Sequence, residues 1–156
     1  MSIDLRERKK LKKRTISLMD DWVFKAVIGD PEDEVCLSSF FHAIDPDFRK
    51  VRLLPGEKKV GHPDDKAIRY DICGVINEKI YFDLEIQRNG NPEEQGIRIV
   101  FYLSRLLSGQ RTKGKDYREL RPVRVIMITN FRFFDDPEVS SDVFYLVGEK
   151  TGRTLT

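Results

Sequence analysis

Two alternating runs, Ile68–Ile76 and Ile80–Gln87, are parted by only three residues, Asn77-Glu78-Lys79. Apolar residues recurring every second position mark half-buried strands, and so short a connection makes the pair an antiparallel hairpin. Side chains two apart share a face of a strand. Tyr70, Ile72, Gly74 and Ile76 form one face of the first strand, and Ile80, Phe82, Leu84 and Ile86 one face of the second. Both faces are expected to meet a core. The opposite faces carry Asp71, Cys73 and Val75, and Tyr81, Asp83, Glu85 and Gln87. A turn centred on Glu78 pairs positions whose numbers sum to 156 and keeps the apolar faces together. A two-residue turn would set apolar residues opposite carboxylates. The favoured register places Asp71 opposite Glu85 and Cys73 opposite Asp83, with Gln87 one step further on the same face.

Like charges directly opposite each other in a ladder repel. A divalent cation would relieve that repulsion, since hard cations such as Mg²⁺ take carboxylate oxygens together with water and phosphate oxygens. Such an ion activates water and stabilises charge on a phosphodiester. The alternative is an exposed sheet face on which the carboxylates simply meet solvent.

Around the hairpin the pattern alternates helix and strand. Thr15 or Ser17 can cap a first helix through Val27 that closes at Gly29. Asp30-Pro31 is expected to open a second, with Leu37, Phe40, Phe41 and Ile44 at helical spacing and Asp45-Pro46 as its stop. A short strand is expected at Lys50–Leu54, then a polar loop over 55–67. Pro92–Leu107 reads as a helix with an apolar stripe of Ile97, Val100, Phe101, Leu103 and Leu107. Gln95, Arg98, Tyr102 and Arg105 lie along its other side. A guanidinium–phenol–guanidinium row can hold phosphates, and the alternative is a solvated helix face. Val123–Thr129 is nearly continuously apolar, as an inner strand is. A last strand is expected at Val143–Val147. The fold class is therefore α/β, a mixed sheet flanked by helices.

At 156 residues and 18.3 kDa this is one domain's worth of chain. An apolar fraction of 40% excludes a disordered chain, and no apolar run reaches the roughly 18–20 residues that a membrane span needs. No export signal is visible, so a cytoplasmic location and reduced Cys36 and Cys73 are expected. Those cysteines lack CxxC spacing, and with only His42 and His62 beside them a zinc site is not expected. The net charge of +2 is unevenly spread. Residues 1–14 hold seven basic residues, among them Lys9, Lys10, Lys12 and Lys13, against two acidic ones, a charge of +5. The remainder has 21 basic and 24 acidic residues, a charge of −3. A basic arm on a mildly acidic body suits loose attraction to a polyanion. A solvated, frayed terminus is the alternative.

Several segments, in order, resemble the PD-(D/E)XK nuclease family transposases, also called recombination-promoting nucleases. Asp20-Asp21-Trp22-Val23-Phe24-Lys25 with Gly29-Asp30 resembles the family's opening, and Ser38-Ser39-Phe40-Phe41-His42-Ala43-Ile44 its second helix. Asp71-Ile72 and Glu85-Ile86-Gln87 are similar to its second and third strands, and Arg98 to Tyr102 to its helix. Gly114-Lys115-Asp116-Tyr117-Arg118-Glu119-Leu120-Arg121-Pro122-Val123, leading to Asn130-Phe131, resembles a further segment. The resemblance spans most of residues 17–147.

It implies a restriction-endonuclease-like core of αβββαβ order, with Asp71 and Glu85 holding Mg²⁺, for which Mn²⁺ substitutes. Gln87 would stand where many relatives carry a lysine. Glutamine cannot act as a base but can orient water. Pro63-Asp64-Asp65-Lys66 spells the superfamily motif almost literally but falls in a loop, and the match by position is Asp71. Family members usually run on past this chain's end, so a truncated form is expected: a basic arm over 1–14, a nuclease-like domain over 15–147 and a tail over 148–156. The expected activity is metal-dependent hydrolysis of DNA by an endonuclease of transposition or recombination. Asp71, Glu85 and Gln87 would be catalytic, and Arg98, Tyr102, Arg105 and the arm lysines would contact DNA. Expected partners are DNA and, as one open assembly, a second copy in a homodimer, with no membrane. The alternative is an inactive remnant that binds DNA or protein.

Overall fold

A computed structural model describes residues 16–54, 71–110 and 116–154. Helix α1 spans Asp21–Ile28 and α2 spans Glu34–Ile44. They are followed by β1 (Val51–Leu53), β2 (Ile72–Ile76) and β3 (Ile80–Gln87). Helix α3 (Pro92–Ser108), a 3₁₀ turn at Tyr117–Glu119 and β4 (Val123–Thr129) complete the order. The four strands form one mixed sheet in the order β1-β2-β3-β4, antiparallel except for the β3–β4 pair.

The hairpin register is the expected one: Ile72 pairs with Leu84, Cys73 with Asp83 and Ile76 with Ile80. Its turn places Asn77 (φ 50°) and Glu78 (φ 59°) in left-handed conformation. Asparagine tolerates that region through its short polar side chain. Here the Asn77 carboxamide oxygen accepts from the N–H groups of Arg49 and Lys50 at 3.0 Å, which ties the turn to β1. Gly74 leaves room for its neighbours, since a Cβ there would collide with the Arg52 carbonyl and come within 2.6 Å of the Phe82 ring.

The face of Ile72, Ile76, Phe82, Leu84 and Ile86 packs against Phe24, Ile28, Leu37 and Phe41 of α1 and α2. The rings of Phe41 and Phe82 lie 4.5 Å apart at the centre of this layer. Helix α3 packs on β3 and β4 over the opposite face.

Several boundaries depart from the sequence reading. Helix α1 starts at Asp21, because Ser17 accepts from the Met19 N–H at 3.1 Å in a local turn instead of capping a helix. Helix α2 starts at Glu34, since Asp33 takes the cap and accepts the Cys36 N–H at 2.9 Å. Asp30 and Pro31 belong to the preceding turn. Strand β2 is described from Ile72, and the expected start at Ile68 lies outside the described residues. Strand β4, expected inside the sheet, is an edge strand among the described residues and is half-buried throughout. Val143–Val147 is not a strand. Its side chains are 55–68% exposed, and a single bridge joins Val147 to Thr154.

The largest difference concerns α3. Ile97 (69% exposed), Val100 (63%) and Phe101 (51%) face away from the sheet, while Gln95 and Tyr102 are buried against it. The inward face also carries the half-buried Ile99, Leu103 and Leu106. Both sides of this helix are therefore partly apolar, and the side bearing Gln95, Arg98 and Tyr102 is the one that covers the sheet.

Candidate active site

The polar face of the hairpin lies under α3, so its carboxylates are enclosed. Asp83 is 0% and Glu85 1% exposed. Asp71, just before β2, continues the register to a place beside Glu85. The Asp71 N–H donates to Glu85 Oε1 at 3.3 Å, and Asp71 Oδ2 accepts from the Ile86 N–H at 3.3 Å. Two acidic side chains far apart in sequence are thereby locked side by side.

Each of the two is held by a cation at its far side. Lys25 of α1 places Nζ 2.8 Å from Asp71 Oδ1 and 2.9 Å from Asp21 Oδ1. Arg98 of α3 donates to Glu85 Oε2 at 3.3 Å and to Gln87 Oε1 at 3.0 Å. The Arg98 fork is steadied by the Tyr102 hydroxyl, which accepts at 3.0 and 3.2 Å. The result is a row of ammonium, carboxylate, carboxylate and guanidinium, with Gln87 beside the last.

Burial and mutual repulsion govern the protonation of this row. Burial, reinforced by the charges of Glu85 and Asp71, raises Asp83 to about 8. Burial and the Asp71 charge raise Glu85 to about 7, against the pull of the Asp71 N–H and of Arg98 and Lys25. Burial works against the Lys25 ammonium, but its bonds to Asp71 and Asp21 prevail and raise its pKa. Both oxygens of Asp83 are buried without a hydrogen-bond partner.

Asp71, Glu85, Gln87, Arg98 and Tyr102 therefore come together. Arg98 and Tyr102 do so by turning inward onto the carboxylates, not by lining an outer track. Arg105 is half-buried one turn beyond Tyr102. Lys9, Lys10, Lys12 and Lys13 lie outside the described residues. Sequence reasoning did not single out Lys25 or Asp83. Asp83 was visible on the polar strand face beside Glu85, while nothing local to Lys25 announces a contact with Asp71.

Asp71, Glu85 and the Gln87 carboxamide offer hard oxygen donors of the kind Mg²⁺ takes alongside water. All four oxygens of the carboxylate pair already meet N–H or ammonium donors. Among the described residues no three His, Cys, Asp or Glu side chains converge as a metal shell. The donor set fits a hydrated, hard divalent ion.

No curated protein and no solved structure matches the chain. The model of one family does, over residues 18–156, and the mixed four-stranded sheet between helices is consistent with that family's fold. The chain belongs to the PD-(D/E)XK nuclease family transposases.

Proposed function

We propose that the chain is a divalent-metal-dependent DNA endonuclease serving transposition or recombination. The observation that carries this reading is the interlocked pair of Asp71 and Glu85, bonded through Asp71 N–H and Ile86 N–H. Two neighbouring carboxylates are costly to a fold unless cations partner them, and a hard divalent ion is one such partner beside Lys25 and Arg98. Asp71 and Glu85 would hold Mg²⁺ or Mn²⁺, which when bound lowers the pKa of water and offsets charge on the phosphate.

The chain's own groups do the rest. Gln87 orients the attacking water through its carboxamide. Arg98 fixes Glu85 and Gln87 and presents a guanidinium toward a phosphate, and Tyr102 positions Arg98. In hydrolysis the water oxygen bonds to phosphorus as one ester P–O bond breaks. The water's proton passes to solvent and the departing alkoxide takes up another. Arg105 and the basic arm would contact the DNA backbone further out.

Nicking of supercoiled plasmid in Mg²⁺ and in Mn²⁺ tests this. Wild type is expected to cut, with Asp71→Ala and Glu85→Ala each slower by at least about a hundredfold. A folded wild type that cuts in neither ion overturns it.

A second reading, a catalytically silent DNA-binding module, is favoured by one observation. Lys25 and Arg98 already partner the two carboxylates, so the row is electrically balanced without a metal. Binding of DNA without Mn²⁺ uptake at Asp71 and Glu85 would select it.

A further inference from the structure

Lys25 stands in the opening helix, far from the hairpin in sequence, yet its Nζ lies 2.8 Å from Asp71 Oδ1. Lys25 and Asp71 also line one cavity of about 170 Å³, with Gly29, Leu53, Leu54 and Cys73 among its walls. That is well above the roughly 10–15 Å³ a single water needs on the same measure. The side chain is 39% exposed, so the ammonium is open to solvent and to a ligand arriving from it.

The chemistry of the row leaves a role open at this end. Hydrolysis of a phosphodiester builds negative charge on the phosphate oxygens, and fixed cations aimed there lower the barrier. Gln87 is neutral. Arg98 serves the Glu85 end, where Gln87 and Tyr102 also engage it. Among the described residues, Lys25 is the cation in ion-pair contact with Asp71. The second partner of Lys25 is Asp21, whose side chain is 62% exposed. An exposed pair four residues apart on a helix stabilises by only about 0.3–0.5 kcal/mol. Lys25 can therefore exchange Asp21 for a phosphate oxygen at small cost while it keeps Asp71.

We propose that Lys25 is a phosphate-contacting residue of this site, delivering from α1 the ammonium that its third strand lacks. The proposal rests on the nuclease reading and deepens it. Arg98 and Lys25 would then grip the scissile phosphate from opposite ends of the carboxylate pair. The same exchange predicts a signature that a purely structural lysine would not give. Removing Lys25 unmasks Asp71 Oδ1, so metal affinity is kept or tightened while cleavage falls.

The test compares wild type, Lys25→Met and Lys25→Arg in three measurements: plasmid nicking, Mn²⁺ titration, and the salt dependence of binding to a short DNA duplex. Thermal melts check folding, and Lys25→Gln replaces the methionine variant if that one does not fold. The expected result is nicking slower by about ten- to a hundredfold in Lys25→Met, with Mn²⁺ affinity equal or higher and activity partly restored in Lys25→Arg. Nicking within twofold of wild type overturns the proposal. Parallel loss of nicking and Mn²⁺ affinity with no rescue by arginine also overturns it, and leaves Lys25 as a support for Asp71. If the folded wild type does not nick, the nuclease reading fails and the salt titration decides for Lys25. A log–log slope shallower by about one in Lys25→Met upholds the phosphate contact, and an unchanged slope overturns it.

Discussion

Asp83 lies in the middle of β3, beneath α3, with neither carboxylate oxygen hydrogen-bonded. Burial is the chief reason its carboxyl is raised to about 8 from an ordinary 3.8. The sign of the consequence follows from linkage. Above pH 4 the unfolded chain releases this proton, while the folded chain keeps it until near pH 8. The unfolded state thus binds fewer protons across that window, and stability falls as pH rises through it. Asp83→Asn removes the ionisation. Urea melts at pH 5 and pH 8 should show wild type losing on the order of a few kcal/mol, and the variant losing clearly less. Equal losses in the two proteins would place the pH dependence elsewhere. The position of Asp83 on the polar strand face was legible from the alternation of the hairpin alone, and so was the register that sets Asp71 beside Glu85. The burial was not. A strand's period says which residues share a face and is silent on whether a helix covers it. Lys25 was less legible still, because its contact with Asp71 exists only once α1 is packed on the sheet.

Helix α3 shows the same limit one level up. Periodicity revealed the helix and its apolar stripe, but a stripe does not name the surface it meets. The sheet face beneath α3 carries Asp83, Glu85 and Gln87, so the helix side that fits it is the one on which Arg98, steadied by Tyr102, reaches Glu85 and Gln87. Ile97, Val100 and Phe101 are turned outward as a result. The energetic contrast is large. Ile97→Lys and Val100→Lys should change stability by less than about 0.5 kcal/mol, as exposed substitutions do. Phe41→Ala, in the layer under α1 and α2 and fully buried, should cost about 3–5 kcal/mol. Chemical denaturation of the three variants checks both figures. A loss above 2 kcal/mol in either lysine variant would mean that the outward face is packed after all. Val143–Val147 teaches the converse. Its β-rich composition suggested a strand, but a strand needs a neighbouring strand to satisfy its backbone, and among the described residues this segment has a single bridge, from Val147 to Thr154.

Charge is distributed over the whole molecule in a way that no single element expresses. The body beyond residue 14 carries −3, and the residues before it +5. Near the site, Lys25 and Arg98 are matched against Asp71 and Glu85, so the row adds little net attraction for a distant polyanion. On the proposed reading, long-range attraction to DNA would fall to the amino-terminal lysines and arginines, whose charge was plain in the sequence. Each phosphate neutralised by such a group releases condensed counterions, and the logarithm of the binding constant then falls with the logarithm of salt by about 0.9 per contact. Deleting residues 1–14 should accordingly weaken binding to a duplex at low salt by at least about tenfold and flatten the salt slope by several units. Plasmid nicking at saturating protein should change much less, because the carboxylate row is built from α1, the hairpin and α3, all of which the deletion spares. Fluorescence anisotropy at three salt concentrations, with nicking measured in parallel, separates the two effects. Unchanged affinity and slope would show that the arm takes no part in binding and that the attraction arises on the folded body. Equal loss of binding and of nicking at saturation would tie the arm to the chemistry itself.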